Sequence, residues 1–186
     1  MLWTLEHLLG IEASGLDDAL AEASNLIATA LGADKVDAFL YHPEIDTLVA
    51  AGTSDTPMGQ RQHALGLDRL PLSNVGSNAK VFTTGENYLT GHSEQDPDEL
   101  PGIVHALGVR STVATPLNVA GERRGVLSVV SATPEFFDDG DLRFLEATSR
   151  WLGLVAGRAE SIERIADAAA ESARQVAAQE LITVLA

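Results

Sequence analysis

The stretch Arg110–Ser131, RSTVATPLNVAGERRGVLSVVS, decides the fold. Its first half carries an apolar or β-branched residue at every second position: Val113, Thr115, Leu117 and Val119. This period of two places one set of side chains on one face of a sheet. Val126–Val130 is almost continuously apolar, as expected of a central strand covered on both faces. Between them, Ala120–Gly125 provides the glycines and charges of a connection, so the stretch predicts a β-hairpin.

A hairpin needs further strands and a covering helix to be stable, and the flanking sequence predicts both. Leu16–Leu31 has apolar residues three and four apart, with Ser14 as N-cap and Gly32 at the C-terminal end, which indicates an amphipathic helix. A second such helix is predicted over Asp141–Arg158.

The residues between the two helices alternate between strand patterns and turns. They predict a hairpin of Lys35–Tyr41 with Thr47–Ala51, a loop from Thr53 to Asn78, a helix at Asn78–Thr84, a strand at Tyr88–Thr90 and a helical turn within Glu99–Leu107. Consecutive hairpins favour an antiparallel sheet, and helices cover one face of it. The fold class is therefore α+β, and the long loops are expected to roof a pocket on the other face.

The hairpin motif also resembles a known family. The pattern R-S-x-x-A-x-P-L-x-V-x-G-x-x-x-G-V-L-S-V, followed by Phe136, Phe137, Asp138 and a long helix, resembles the C-terminal half of a GAF domain. The resemblance covers roughly residues 16–158. It implies a small-molecule sensor or interaction module of a signalling protein, with a GAF-like antiparallel sheet flanked by helices.

Composition narrows the classes of function. The chain has 186 residues with a net charge of −15, from 12 basic and 27 acidic residues. This charge disfavours binding to nucleic acid or anionic membranes. No apolar run reaches the length of a membrane span, and the absence of cysteine fits a reducing cytoplasm. We therefore expect a cytoplasmic protein.

The C-terminal tail continues the helical pattern beyond the predicted domain. Val155, Ile162, Ala169 and Val176 are seven residues apart. One edge of a heptad is thus present, which favours pairing with the same helix of a second subunit, although a helix folded back on its own domain is the alternative. The expected organisation is a helical segment at 1–15, a sensor domain at 16–158 and a linker or dimerisation helix at 159–186.

The last residues add a second resemblance. Gln175–Ala186, QVAAQELITVLA, resembles the run that enters the first dimerisation helix of a sensor histidine kinase. The phosphoacceptor motif that follows it in that family is missing here. The resemblance implies the sensor fragment of a two-component histidine kinase, with the kinase-type output domain outside this sequence.

Three residues are candidates for ligand binding. In GAF haem sensors a histidine in the region of His105 coordinates the iron, so the resemblance makes His105 a candidate axial ligand, and His92 is a second candidate. Arg110 could meet an anionic ligand or form a salt bridge. Other family ligands fit less well: a covalent bilin needs a cysteine, and SATPEFFDDGD lacks the Asn and Lys of the cyclic-nucleotide motif.

No catalytic motif is evident. The five histidines form no HExxH pair, neither GxGxxG nor GxxxxGK[ST] occurs, and the serines lack a nucleophile elbow. The GAF-type methionine sulfoxide reductases need catalytic cysteines, which the chain lacks. The sequence therefore predicts a regulatory sensor module that is not an enzyme. The alternatives are a purely structural dimerisation module without a ligand and a haem-based gas or redox sensor.

Overall fold

A computed structural model describes the backbone of residues 16–185 and the side chains of residues 16–158, 160–162 and 164–176. The predicted segment 1–15 and the N-cap role of Ser14 lie outside the described residues. Within residues 16–185, four α-helices and six strands follow one another, with short 3-10 and π-helical segments between them. Their bounds are α1 Leu16–Leu31, β1 Lys35–His42, β2 Thr47–Thr53, α2 Pro57–Ala64, β3 Arg69–Pro71, α3 Gly76–Thr84, β4 Tyr88–Thr90, β5 Ser111–Val119, β6 Glu122–Ser131 and α4 Asp139–Leu185.

The six strands form one antiparallel sheet in the order β3-β2-β1-β6-β5-β4. The apolar strand β6 lies at its centre, between β1 and β5, as its sequence predicts. The predicted hairpin of Arg110–Ser131 is β5 and β6. Its turn is shorter than predicted, because only Ala120 and Gly121 form it, with φ of 52° and 85°.

Helices α1 and α4 cover one face of the sheet, and their apolar faces form the main core with it: Leu20, Ile27, Val36, Leu117, Leu127, Leu145 and Leu152.

Helix α4 begins with a capping box. Asp138 Oδ1 accepts hydrogen bonds from the amides of Gly140 and Asp141 at 2.6 and 3.1 Å, and Asp141 Oδ2 accepts one from the Asp138 amide at 3.0 Å. The expected α+β fold, with helices on the sheet and a long C-terminal helix, is confirmed.

The predicted loop from Thr53 to Asn78 is wrong in part, since it contains α2 and β3. Helix α2 has a clear start, with Pro57 in its first turn and Thr56 Oγ1 accepting from the Gly59 amide at 3.2 Å. Strand β3 is three residues long and pairs with β2 at the sheet edge. Such a short edge strand has too little apolar periodicity to be recognised from sequence.

Candidate functional site

The sheet face opposite α1 and α4 is the expected ligand face, and we call it the roofed face. It is covered by α2, α3 and a π-helix at Gly102–Ala106. Side chains of the protein itself fill much of the space between sheet and roof: Phe39, Leu48, Leu70, Val81, Ala114 and Val126 in one cluster, and Ile103, Leu107, Val109 and Val130 in another. The apolar part of this face is therefore largely closed, and its polar groups become the informative ones.

A buried ion pair lies at one end of the roofed face. Lys35 and Asp37 on β1 are 3% and 1% exposed, and their side chains contact each other. Gln62 of α2 completes the cluster: its Oε1 accepts from Lys35 Nζ at 2.6 Å and its Nε2 donates to Asp37 Oδ1 at 2.8 Å. Thr53 Oγ1 also donates to Asp37 Oδ1, at 2.8 Å. Each charge thus has several partners, as a buried ion pair requires.

This cluster was not predicted from the sequence. Lys35 and Asp37 are two residues apart on a strand, so both side chains point to the same face. That spacing is visible in the sequence. The contribution of Gln62 is not, because it depends on a helix that sequence reasoning did not predict.

A second polar cluster holds the acidic loop after β4 against α3. Tyr88 Oη donates to Asp96 Oδ2 at 2.9 Å, and Lys80 Nζ lies 2.8 Å from Asp98 Oδ2 and 3.5 Å from Asp96 Oδ1. Burial, together with the bond to Asp96, raises the pKa of Tyr88. The amide of Asp98, then Tyr88 and Lys80, lower the pKa of Asp96. These bonds keep Asp96 ionised and fix the loop beside the roof.

Two buried oxygens near this cluster have no hydrogen-bond partner among the described residues: Asn78 Oδ1, in the first turn of α3, and Glu99 Oε2. The other oxygen of Glu99 accepts from the Leu100 amide at 2.9 Å. A β-carbon placed on Gly76 would lie 3.4 Å from Glu99 Oε1, so the carboxylate adjoins the start of α3. Buried acceptors without donors are rare, and a bound donor group is one explanation.

The structure brings two of the three predicted ligand residues together. His92 Nδ1 lies 3.2 Å from Glu94 Oε1, and Arg110 Nη1 donates to the carbonyls of Val104 and Val109 at 3.2 and 3.0 Å. The pKa of Glu94 is lowered by its own amide first and then by His92 and Arg110. His92 and Arg110 therefore lie near the same carboxylate at one end of the sheet.

His105 lies apart from them, exposed on the π-helix. A haem pocket needs a mostly apolar space around a buried axial ligand. In this conformation His105 does not fit that role, since its ring faces solvent and the apolar residues beneath it already pack on the sheet. Haem ligation by His105 stays a prediction without structural support.

Comparisons with known proteins agree with this fold. The family model described as "GAF domain" matches residues 15–155. The chain belongs to the GAF domain family. No curated protein matches the sequence. GAF domains are regulatory sensor modules of signalling proteins, and membership of the family assigns this general role to the chain.

Solved structures confirm the fold at low sequence identity. The GAF domain of a phosphoenolpyruvate-protein phosphotransferase from Acinetobacter is 19% identical with a TM-score of 0.71, over 88% of this chain and 96% of that one. Residues 122 to 287 of a methyl-accepting chemotaxis protein are 20% identical with a TM-score of 0.63, over 87% and 96%. At such identities the likeness concerns the GAF fold alone.

A third similar structure corrects one prediction. The free methionine-R-sulfoxide reductase from Neisseria meningitidis, solved in complex with its substrate, is 22% identical with a TM-score of 0.68, over 83% of this chain and 86% of that one. The prediction that the chain is not an enzyme was inferred from missing catalytic motifs, and this inference is wrong. The physical reason is that a GAF fold also builds catalytic sites, from residues that come together only in three dimensions.

The helices were also compared with the length and hydropathy that a membrane span requires. Across the described residues, 16–185, every helix is too short or too polar to span a lipid bilayer.

Proposed function

We propose that the chain is a ligand-binding sensor whose roofed face takes a small molecule rich in hydrogen-bond donors, such as an amine or a polyol. The observation that carries this proposal is the pair of buried acceptors without donors, Glu99 Oε2 and Asn78 Oδ1. Donors of a ligand would supply the bonds that these oxygens lack. His92 and Arg110 stay the proposed contacts at the other polar end of the site, and His105 stays a candidate that the structure places apart from them, on the exposed side of the π-helix.

The β5–β6 hairpin offers a route from this site to the C-terminal helix. Arg123 Nη1 donates to the carbonyls of Phe82 and Thr83, at the end of α3, at 2.6 and 2.8 Å. The next residue, Arg124, forms an ion pair of 3.0 Å with Glu160 of α4. Neighbouring residues of a strand point to opposite faces, so one hairpin holds the roof and the output helix together. A ligand that prefers one position of α3 would then bias α4.

The output is proposed from α4 itself. Among its described side chains, four large apolar ones are exposed: Leu154, Ile162, Ile165 and Val176. Their exposure supports pairing of the 159–186 helix with that of a second subunit in a cytoplasmic homodimer. A kinase-type output domain beyond residue 186 is proposed from the histidine-kinase resemblance of Gln175–Ala186, with 16–158 as the sensor domain.

Native mass spectrometry tests the proposal on the full chain, with ethanolamine, putrescine and glycerol as probes. We expect one of them to remain bound to the wild-type protein and to be lost from Glu99→Gln, whose amide removes the charge of the unpaired oxygen. Glu86→Gln is the matched control, because Glu86 is an exposed glutamate outside the site. Retention of no probe, or equal retention by both variants, would overturn the proposal.

A second candidate, a structural dimerisation module without a ligand, is favoured by the closed apolar part of the roofed face. The same experiment distinguishes it, since this module would be dimeric and bind no probe.

A further inference from the structure

A groove runs along the outer edge of β5, on the side of the sheet that carries α4. Strand β4 pairs with residues 112–114 of β5, so within residues 16–185 no strand pairs with the second half of β5 on its outer side, and α4 packs against β5. Two adjoining hollows of about 260 and 310 Å³ lie there. Both are lined by Pro116, Asn118, Ser149 and Arg150. We call the pair of hollows the edge groove, and it is separate from the roofed face.

One residue that lines the edge groove carries a buried, unpaired hydroxyl. Thr115 lines the smaller hollow and is 1% exposed, yet its Oγ1 has no hydrogen-bond partner among the described residues. The other buried threonines are bonded: Thr47 Oγ1 to the Ile45 carbonyl at 2.8 Å, Thr112 Oγ1 to Ser93 Oγ at 2.9 Å and Thr148 Oγ1 to the Phe144 carbonyl at 2.9 Å. A buried hydroxyl without a partner costs free energy, so Thr115 is a place where a bound group would be stabilised.

Two opposite charges accompany this hydroxyl. Glu146 and Arg150 line the same hollow and lie one turn apart on α4. Such a pair often forms a salt bridge. Here Glu146 Oε1 instead accepts from Asn87 Nδ2 at 2.7 Å. No hydrogen bond or ion pair engages the Arg150 guanidinium within the described part of the chain. The hollow therefore presents a carboxylate and a free guanidinium side by side.

We infer that the edge groove binds a free amino acid through its zwitterionic backbone. The ligand carboxylate pairs with Arg150, the ammonium group pairs with Glu146, and one of the two completes the hydrogen bonding of Thr115 Oγ1. A simple anion is repelled by Glu146 and a simple cation by Arg150, so only a ligand with both charges uses both groups. A hollow of about 260 Å³ accommodates a small amino acid.

The position of the groove gives such binding a consequence. Thr115 belongs to the sheet, whereas Glu146 and Arg150 belong to α4. An amino acid that contacts all three fastens the output helix to the edge of the sheet. A ligand that binds only when α4 lies against the edge of the sheet stabilises that position of α4. The amino acid therefore acts as a second regulator of α4, at a site separate from the roofed face.

Thermal unfolding of the full chain, followed by calorimetric titration, tests the inference. The probes are L-alanine, L-serine and glycine, with sodium acetate and methylamine hydrochloride as single-charge controls. We expect at least one amino acid to raise the melting temperature and both controls to leave it unchanged. Equal shifts with acetate or methylamine, or no shift with any of the three amino acids, would overturn the inference.

Variants locate the site. Thr115→Val removes only the unpaired hydroxyl, so we expect a folded protein of at least wild-type stability whose affinity for the amino acid falls about tenfold. Arg150 lies on the surface. The Arg150→Gln substitution is expected to lower the affinity for the amino acid at least as much as Thr115→Val does. Thr112→Val, on the same strand, is the control: it loses a bonded hydroxyl, so stability falls while affinity stays. Unchanged affinity in Thr115→Val and Arg150→Gln contradicts the site.

Discussion

At the scale of single residues, the ion pair of Lys35 and Asp37 is the least expected feature of this GAF domain. Both side chains are almost completely buried between the sheet and α2. Removal of two charges from water costs several kcal/mol per ion, and mutual attraction offsets this only when further hydrogen bonds complete the site. Gln62 and Thr53 provide those bonds to Asp37. The cluster thus makes the position of α2 on the sheet specific.

We predict that Lys35→Met destabilises the domain by about 3–5 kcal/mol, because Asp37 keeps a buried charge without a cation. Urea unfolding measures the change. The double variant Lys35→Met/Asp37→Asn is the control, since the neutral amide removes the stranded charge at constant shape, and it is expected to be more stable than the single variant. A single variant within about 1 kcal/mol of wild type, or no gain from the second substitution, would show that the pair is not the stabilising unit.

At the scale of elements, Arg123 links the β5–β6 hairpin to α3. Its guanidinium lies over Gly85, the left-handed residue that ends α3, and bonds the last carbonyls of that helix. A β-carbon on Gly85 would overlap the Arg123 guanidinium. Gly66 has a similar positive φ of 68°, but a β-carbon there would meet nothing within 4 Å. An alanine would therefore suffer the same backbone strain at both positions, but only at Gly85 would it also collide with Arg123.

This difference gives a prediction. Gly66→Ala is expected to cost about 1 kcal/mol, the usual penalty of a left-handed alanine, and Gly85→Ala clearly more, because Arg123 must leave its carbonyl partners. Thermal or urea unfolding compares the two. In an Arg123→Ala background the extra cost of Gly85→Ala should disappear. Equal costs in the wild-type background would mean that the hairpin does not hold α3.

The elements also show how far sequence reasoning reaches. Helix α1, the pairs β1–β2 and β5–β6, helix α3 and strand β4 were predictable because each is specified by periodicity and turn residues within a short window. Helix α2 was missed although Thr56 and Pro57 mark its start. Its apolar pattern is weak, since the buried residues that it contributes include Gly59 and Gln62.

At the scale of the whole molecule, α4 is longer than the domain needs. Its residues are buried as far as Ala156, and the helix continues to Leu185. At ~1.5 Å per residue, the part after Arg158 extends roughly 40 Å. The exposure of Ile162 and Ile165 on a helix of this length is the basis of the proposal that a second copy of the helix covers them.

We predict that the full chain is dimeric and that Ile162→Gln/Ile165→Gln shifts it to monomer, because both side chains leave water on pairing. Sedimentation velocity measures the change. Glu171→Gln/Arg174→Gln is the control, since it removes an exposed ion pair of α4 and leaves the apolar residues intact. A chain that ends at Arg158 should likewise be monomeric. If the truncated domain dimerised as strongly as the full chain, pairing through this helix would be wrong.

The amino-acid sequence by itself determined the α+β class, the two hairpins, the long C-terminal helix and the GAF resemblance. These follow from alternation, helical spacing and turn chemistry, which depend on near neighbours in the chain. Only the tertiary structure decided the polar sites: Gln62 between Lys35 and Asp37, Glu99 beside the start of α3, and Thr115 between β5 and α4. The residues that surround these groups are distant from them in sequence, and burial, which gives each group its free-energy cost, exists only once the elements have packed.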